Sequence, residues 1–161
     1  LFRSSAASDV YKRQVLFSTL LISACSTAKK ANVDTVDYVY TGTDTVEFLA
    51  KGVPDRIFFA TNKSKLTTAS RDTLRKQATW MRKNKDVTVT VEGHADERGT
   101  REYNLALGER RANAAKDYLM TYGVSGKRIS VISYGKERPV NPASSPLAWS
   151  QNRRSVTVKA N

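Results

Sequence analysis

The chain has 161 residues, 40% of them hydrophobic and 26% charged, and its 27 Lys and Arg against 15 Asp and Glu give a formal net charge of +12. That length fits one compact domain of roughly 100–150 residues plus tails, and a mean hydropathy of -0.48 with seven Tyr, five Phe and two Trp excludes wholesale disorder and a bundle of membrane helices. The lone Cys25 excludes an internal disulfide framework and a Cys-rich zinc site, the lone His94 limits metal and triad chemistry, and the charge points to polyanions: nucleic acid, anionic lipid headgroups or an anionic polymer.

Residues 15–24, VLFSTLLISA, form an apolar run that follows Lys12-Arg13 and ends at Cys25. Ten residues cannot cross ~30 Å of hydrocarbon as a helix, so the run reads as the core of a secretory signal. The order Leu21-Ile22-Ser23-Ala24-Cys25 resembles a bacterial lipobox, which implies cleavage before Cys25 and lipidation of its thiol, palmitate included. Ser26, where an Asp would favour inner-membrane retention in such lipoproteins, points to the outer membrane. Residues 1–11, with Asp9 in what should be a basic leader, read as a non-native start. Without residues 1–25 the chain keeps 24 Lys and Arg against 14 Asp and Glu, or +10, so the basic character belongs to the mature protein. Residues 26–53 lack a sustained period and read as a flexible tether with at most a short strand near Thr45–Leu49.

The domain is expected over 54–161. Arg56-Ile57-Phe58-Phe59 is a first strand, followed by the turn Thr61-Asn62-Lys63-Ser64. Leu74, Ala78 and Met81 recur at helical steps within Thr68–Asn84, with Thr67 or Thr68 as cap. Val87 to Glu92 alternates as a half-buried strand that Gly93 ends. A second helix is predicted over Arg101–Tyr122, capped by Thr100 and stopped by Gly123. Arg128–Tyr134 and Ser155–Lys159 are further strands, separated by a Pro- and Ser-rich loop at 139–146 and a short helical turn over Leu147–Gln151. The order β-α-β-α-β-(short helix)-β predicts an α+β fold in two layers, with helices on one face of a mixed four-stranded sheet.

On a helical wheel the second helix aligns Leu107, Ala114, Tyr118 and Tyr122, with Ala115 at the edge, Asn104 on the same line and Arg111 in the middle of the stripe. An arginine there is costly without a fixed partner or an anion. Two readings stay open: a structural arginine that snorkels or pairs with a buried carboxylate, or one that meets a ligand carboxylate. The preceding loop, Gly93 to Gly99, lies between a strand end and a helix start, and places Asp96 at the mouth. An amino-acid head, ammonium to Asp96 and carboxylate to Arg111, satisfies the pair.

Gly93-His94-Ala95-Asp96-Glu97-Arg98-Gly99-Thr100, Glu102-Tyr103-Asn104, Leu107-Gly108, Arg110-Arg111-Ala112 and Tyr118-Leu119, then Ile132 to Pro139 and Gln151 to Arg154, closely resemble the OmpA-like peptidoglycan-binding domain. The form is that of the lipoproteins of the Tol-Pal envelope and cell-division system, and the likeness covers roughly 54–159. It implies a peptidoglycan ligand, the meso-diaminopimelate of the stem peptide, with its ammonium on Asp96 and its carboxylate on Arg111. Asn104, Arg98, Leu107 and the turn residues Thr61 and Asn62 would complete the recess. It further implies TolB and other Tol proteins as partners, with TolB and wall excluding each other. Cys25 would then hold the outer membrane from its periplasmic face. The family's first-strand turn reads Phe-Asp-x-Asp, whereas here Phe59-Ala60-Thr61-Asn62 lacks both carboxylates and leaves Asn62 to offer a carbonyl. Of Arg153 and Arg154, one is expected to brace the pocket and the other to face solvent.

An enzyme is not expected: one His with Asp96 and Glu97 falls short of a catalytic zinc set and lacks a nucleophile motif, so neither cofactor nor metal is invoked. His94 reads as a loop-bracing hydrogen-bonder. Nucleic acid is rejected because Phe58-Phe59 lacks the signature of RNA-binding strands and the export signal removes the chain from it. The basic surface then faces the wall, lipid or solvent.

Overall fold

The computed structural model describes residues 39–40 and 47–160. Cys25, its signal and most of the tether lie outside the described residues.

β1 (Phe48–Ala50) and β2 (Val53–Pro54) form a hairpin that precedes β3 (Arg56–Phe58). There follow α1 (Thr68–Lys83), β4 (Val89–His94), α2 (Arg101–Thr121), a 3-10 turn at Gly126–Arg128, β5 (Ile129–Gly135), α3 (Pro146–Asn152) and β6 (Arg154–Lys159). The main sheet runs β3-β6-β4-β5, with β6 antiparallel to both neighbours and β4 parallel to β5. Both long helices pack on one face, where Phe59, Leu74, Met81, Val91, Leu119 and Ile129 lie at the centre of the core. This is the expected mixed four-stranded α+β architecture.

Local chemistry accounts for the element ends. The Thr67 side chain accepts from Ser70 N at 3.1 Å, and Ser70 Oγ in turn donates to Phe58 O, which ties the start of α1 to β3. Thr100 caps α2 in the same way through Tyr103 N, and Gly123, at φ 81°, closes it in the left-handed conformation. β4 starts two residues later than the valine alternation suggests, because Val87 N donates to Asn84 O and Val87 O accepts from Arg128. Gly93 does not end that strand: β4 runs on through His94.

The reason is a close approach of backbones. A Cβ on Gly93 would stand 1.9 Å from Gly108 O, and one on Gly108 would stand 2.4 Å from Ser133 Oγ. The two glycines therefore let α2 press onto β4 and β5. The buried face of α2 is correspondingly rotated from the expected stripe: Asn104, Leu107, Gly108, Arg111, Ala112, Ala115 and Leu119 are buried, while Tyr118 is only half-buried and Tyr122 is exposed. Small residues, rather than the aromatic line, face the sheet.

The folded unit reaches upstream of Pro54. Glu47 O accepts from Asp55 N, the Glu47 carboxylate lies 3.1 Å from Arg56, Leu49 is buried, and the Tyr40 ring meets Phe58 edge-on at 4.8 Å. The 53/54 division expected from composition falls within the β1–β2 hairpin.

Candidate functional site

The site forms where β4 ends. Pairing between β4 and β5 shifts after Gly93, so that His94 stands opposite Gly135, and Ala95 N donates to Gly135 O at 2.8 Å. This irregularity turns the chain so that Asp96 meets Arg153, at the junction of α3 and β6. Gly135 takes φ 51°, and a Cβ there would lie 2.9 Å from Leu105 N, so both the turn and the close approach require glycine.

Asp96 is buried and fully engaged. Its Oδ1 accepts from Arg98 N at 3.2 Å and Arg98 Nε at 3.3 Å, and its Oδ2 accepts from one terminal nitrogen of Arg98 at 2.9 Å and one of Arg153 at 3.3 Å. Burial alone would raise the carboxyl, but the bonds and charges of Arg98, aided by Arg153, hold it below the ordinary aspartate range.

Arg111 has no exposed surface. Its Nε donates to Lys63 O at 2.9 Å, and its terminal nitrogens donate to His94 O at 2.7 Å and Ala60 O at 3.2 Å. The guanidinium lies 5.2 Å above the Phe59 ring. Desolvation lowers its pKa to about 10, against the opposing charge of Asp96. The structure thus favours neither open reading in simple form, since every hydrogen bond of Arg111 goes to a neutral carbonyl.

Three guanidinium groups, of Arg98, Arg111 and Arg153, therefore gather around one carboxylate. Arg153 also donates to Phe59 O at 3.1 Å, which makes it the bracing member of its pair. Arg154 does not face solvent: it is buried, donates to Arg138 O, and has its pKa lowered to about 10 by burial and by Arg56.

The remaining expected residues frame this cluster. Asn104 is buried and donates to Arg98 O at 2.8 Å, and Leu107 is buried beneath. Thr61 and Asn62 form the turn over Arg111, with Asn62 at φ 55° and Lys63 N donating to Ala60 O. His94 contributes its carbonyl rather than its ring. The ring is buried beside Tyr134, neither ring nitrogen makes a hydrogen bond, and Glu92 lies 3.4 Å from Nε2 without bonding alignment. Burial and nearby arginines push its pKa down to about 3, so the ring is neutral.

Sequence reasoning missed the outer brace. Arg98 stacks over Trp149 at 4.3 Å, Trp149 Nε1 donates to Glu97 at 2.8 Å, and Ser144 bonds the same Glu97 oxygen. Lys136 Nζ donates to Glu97 O and Gly99 O. Ser144 and Trp149 lie 47 and 52 positions from Glu97 and Lys136 lies 39 from it, and no local pattern signals them.

A cavity of about 460 Å³ adjoins the turn, lined by Ala60, Lys63, Lys65 and Arg71 among others, whereas a larger one of about 740 Å³ beside Trp80 touches none of the site residues.

The OmpA family model matches residues 58–153. Among curated relatives, the peptidoglycan-associated lipoprotein of Mesorhizobium japonicum is 45% identical over 148 residues, which is 89% of this chain and 88% of that protein. The Rhizobium meliloti protein of the same name is 56% identical over 106 residues, 66% of this chain and 60% of its own length. Among solved structures, the peptidoglycan-associated lipoprotein from Burkholderia pseudomallei superposes with a TM-score of 0.64 at 32% identity, covering 66% of this chain and 90% of that one. The C-terminal domain of Helicobacter pylori MotB, at 23% identity and a TM-score of 0.62 over 66% and 84% of the two chains, shares the fold.

Proposed function

The chain belongs to the OmpA family, among its peptidoglycan-associated lipoproteins, and from that premise we propose that its domain is a non-catalytic grip on peptidoglycan that tethers the outer membrane to the wall. The ligand is the free D-centre of meso-diaminopimelate, and Cys25 carries the lipid. The observation that supports this reading is the set of three guanidinium groups around the single carboxylate of Asp96, a cation excess that an incoming carboxylate neutralises.

Binding proceeds by exchange. Arg98 is the most exposed member of the cluster, its side chain 34% accessible, and it holds Asp96 from the outside. The ligand ammonium takes its place on Asp96. The ligand carboxylate takes Arg111 from the turn carbonyls of Ala60 and Lys63, because a charged acceptor binds a guanidinium roughly twice as strongly as a neutral one. Asn104 keeps the loop in register throughout. Tol-Pal membership and competition of TolB for this face belong to the same proposal, and each grip can be weak because many copies joining two surfaces add avidity.

Titrating the chain with a diaminopimelate muropeptide and with its lysine counterpart tests the site. Lysine lacks the second carboxylate, so binding confined to the diaminopimelate form is expected. Equal affinity for both would remove Arg111 from the ligand, and undiminished binding of both by Asp96→Asn would remove Asp96, whose ammonium partner both forms carry.

A further inference from the structure

The basic charge of the chain is concentrated in one segment. Residues 63–85 hold eight Lys and Arg against the single Asp72, a net +7 of the chain's +12. α1 sorts these charges by face. At 100° per residue, Arg71, Arg82, Arg75, Lys83 and Lys76 fall with Thr79 and Asp72 in one arc of ~140°, opposite the buried Leu74, Gln77, Ala78 and Met81. Among the described residues, Asp72 on Arg75 is the only ion pair made by these five cations. Like charges at i, i+4, such as Arg71 and Arg75, oppose helix formation, so the arc is carried at a cost to α1.

A cleft of about 740 Å³ opens along this arc between Gly52–Val53 of the hairpin and Arg75, Lys76, Trp80 and Lys83. Trp80 is half-buried there, with the Lys159 ammonium 5.3 Å from its ring, and Lys51 is exposed at the hairpin turn. An amphipathic indole set among long cationic side chains matches a layer of anionic headgroups above acyl chains. None of these residues belongs to the candidate site.

We propose that the outward arc of α1 docks on an anionic phospholipid surface. Val39 lies only 14 residues after Cys25, at most roughly 50 Å of extended chain, so a lipid on that cysteine keeps the domain within reach of a bilayer. This proximity rests on the lipid-anchor reading above; the charge arc does not. Because screening confines such attraction to about 8 Å at physiological ionic strength, the arc acts by contact and not at a distance.

The test is amine-reactive labelling of the full chain on vesicles, read by mass spectrometry at Lys76 and Lys83, with Lys116 of α2 as the internal reference. On phosphatidylglycerol-containing vesicles, Lys76 and Lys83 are expected to label several-fold more slowly than on phosphatidylcholine alone, with Lys116 unchanged and the difference abolished by high salt. The double variant Arg75→Glu, Arg82→Glu is expected to lose this protection while retaining wall pull-down, which separates failure of this proposal from failure of the wall-binding reading. Equal labelling on both vesicles overturns the proposal. Wall fragments protecting the same lysines equally well on neutral vesicles would assign the face to polymer and also overturn it.

Discussion

Arg111 and Arg128 use the same device in two places. Arg128 donates to Met81 O, Asn84 O and Val87 O and so closes the end of α1, just as Arg111 joins the Ala60–Lys63 turn to the end of β4. A planar fork of five donors suits several carbonyls at once, which a lysine cannot match. Arg111→Ala should therefore cost roughly 3–5 kcal/mol, measured as a shift in urea midpoint, because it leaves buried carbonyls unpaired and opens a cavity. Loss of wall binding in that variant has to be read beside its stability. Asp96→Asn is the cleaner probe, since it keeps the shape and removes only the charge. It should weaken muropeptide binding by at least ~10-fold, or about 1.4 kcal/mol by calorimetry. Arg111 stood out in the sequence as a charge within an apolar stripe. Its carbonyl partners did not, because backbone acceptors are the same at every residue and only the fold selects three of them.

At the level of elements, α2 shows where a wheel misleads. Tyr118 and Tyr122 line up with Leu107, yet the helix turns Gly108, Ala112 and Ala115 to the sheet. Close approach is set by what fits against β4 and β5, and the Gly93–Gly108 contact leaves no room for a side chain. Gly108→Ala would stabilise an isolated helix by about 1 kcal/mol. Here it should instead destabilise the protein by roughly 1–3 kcal/mol through overpacking, as a lowered urea midpoint will show. The remaining boundaries were legible where a side chain bonds its own backbone: Thr67 and Thr100 are caps in sequence and structure alike. Val87 was not legible, because its carbonyl is taken by an arginine 41 residues away.

For the whole molecule, buried titratable groups couple stability to pH. The His94 pKa falls from an unfolded value near 6.5 to about 3 in the fold. The unfolded chain therefore binds the additional proton as pH drops below ~6.5, and stability declines continuously until the folded pKa is reached. By pH 5 the loss should be about 2 kcal/mol, visible in urea midpoints taken across this range. His94→Gln should flatten the profile. Asp96, held below its ordinary range, adds a second loss at lower pH, below the unfolded value of ~3.9. Sequence alone determined the order of elements from Arg56 onward, the two-layer class and the excess of positive charge, and it singled out Asp96 and Arg111 as candidates, because periodicity, caps and composition act within a few residues of chain. Only the tertiary structure decided that Asp96 is already clasped by Arg98 and Arg153, that Arg154 is buried, that Trp149 backs Arg98 and that the cations of α1 form one face. Each of these depends on which distant segments the packed core brings within hydrogen-bonding distance, and a local pattern carries no record of that.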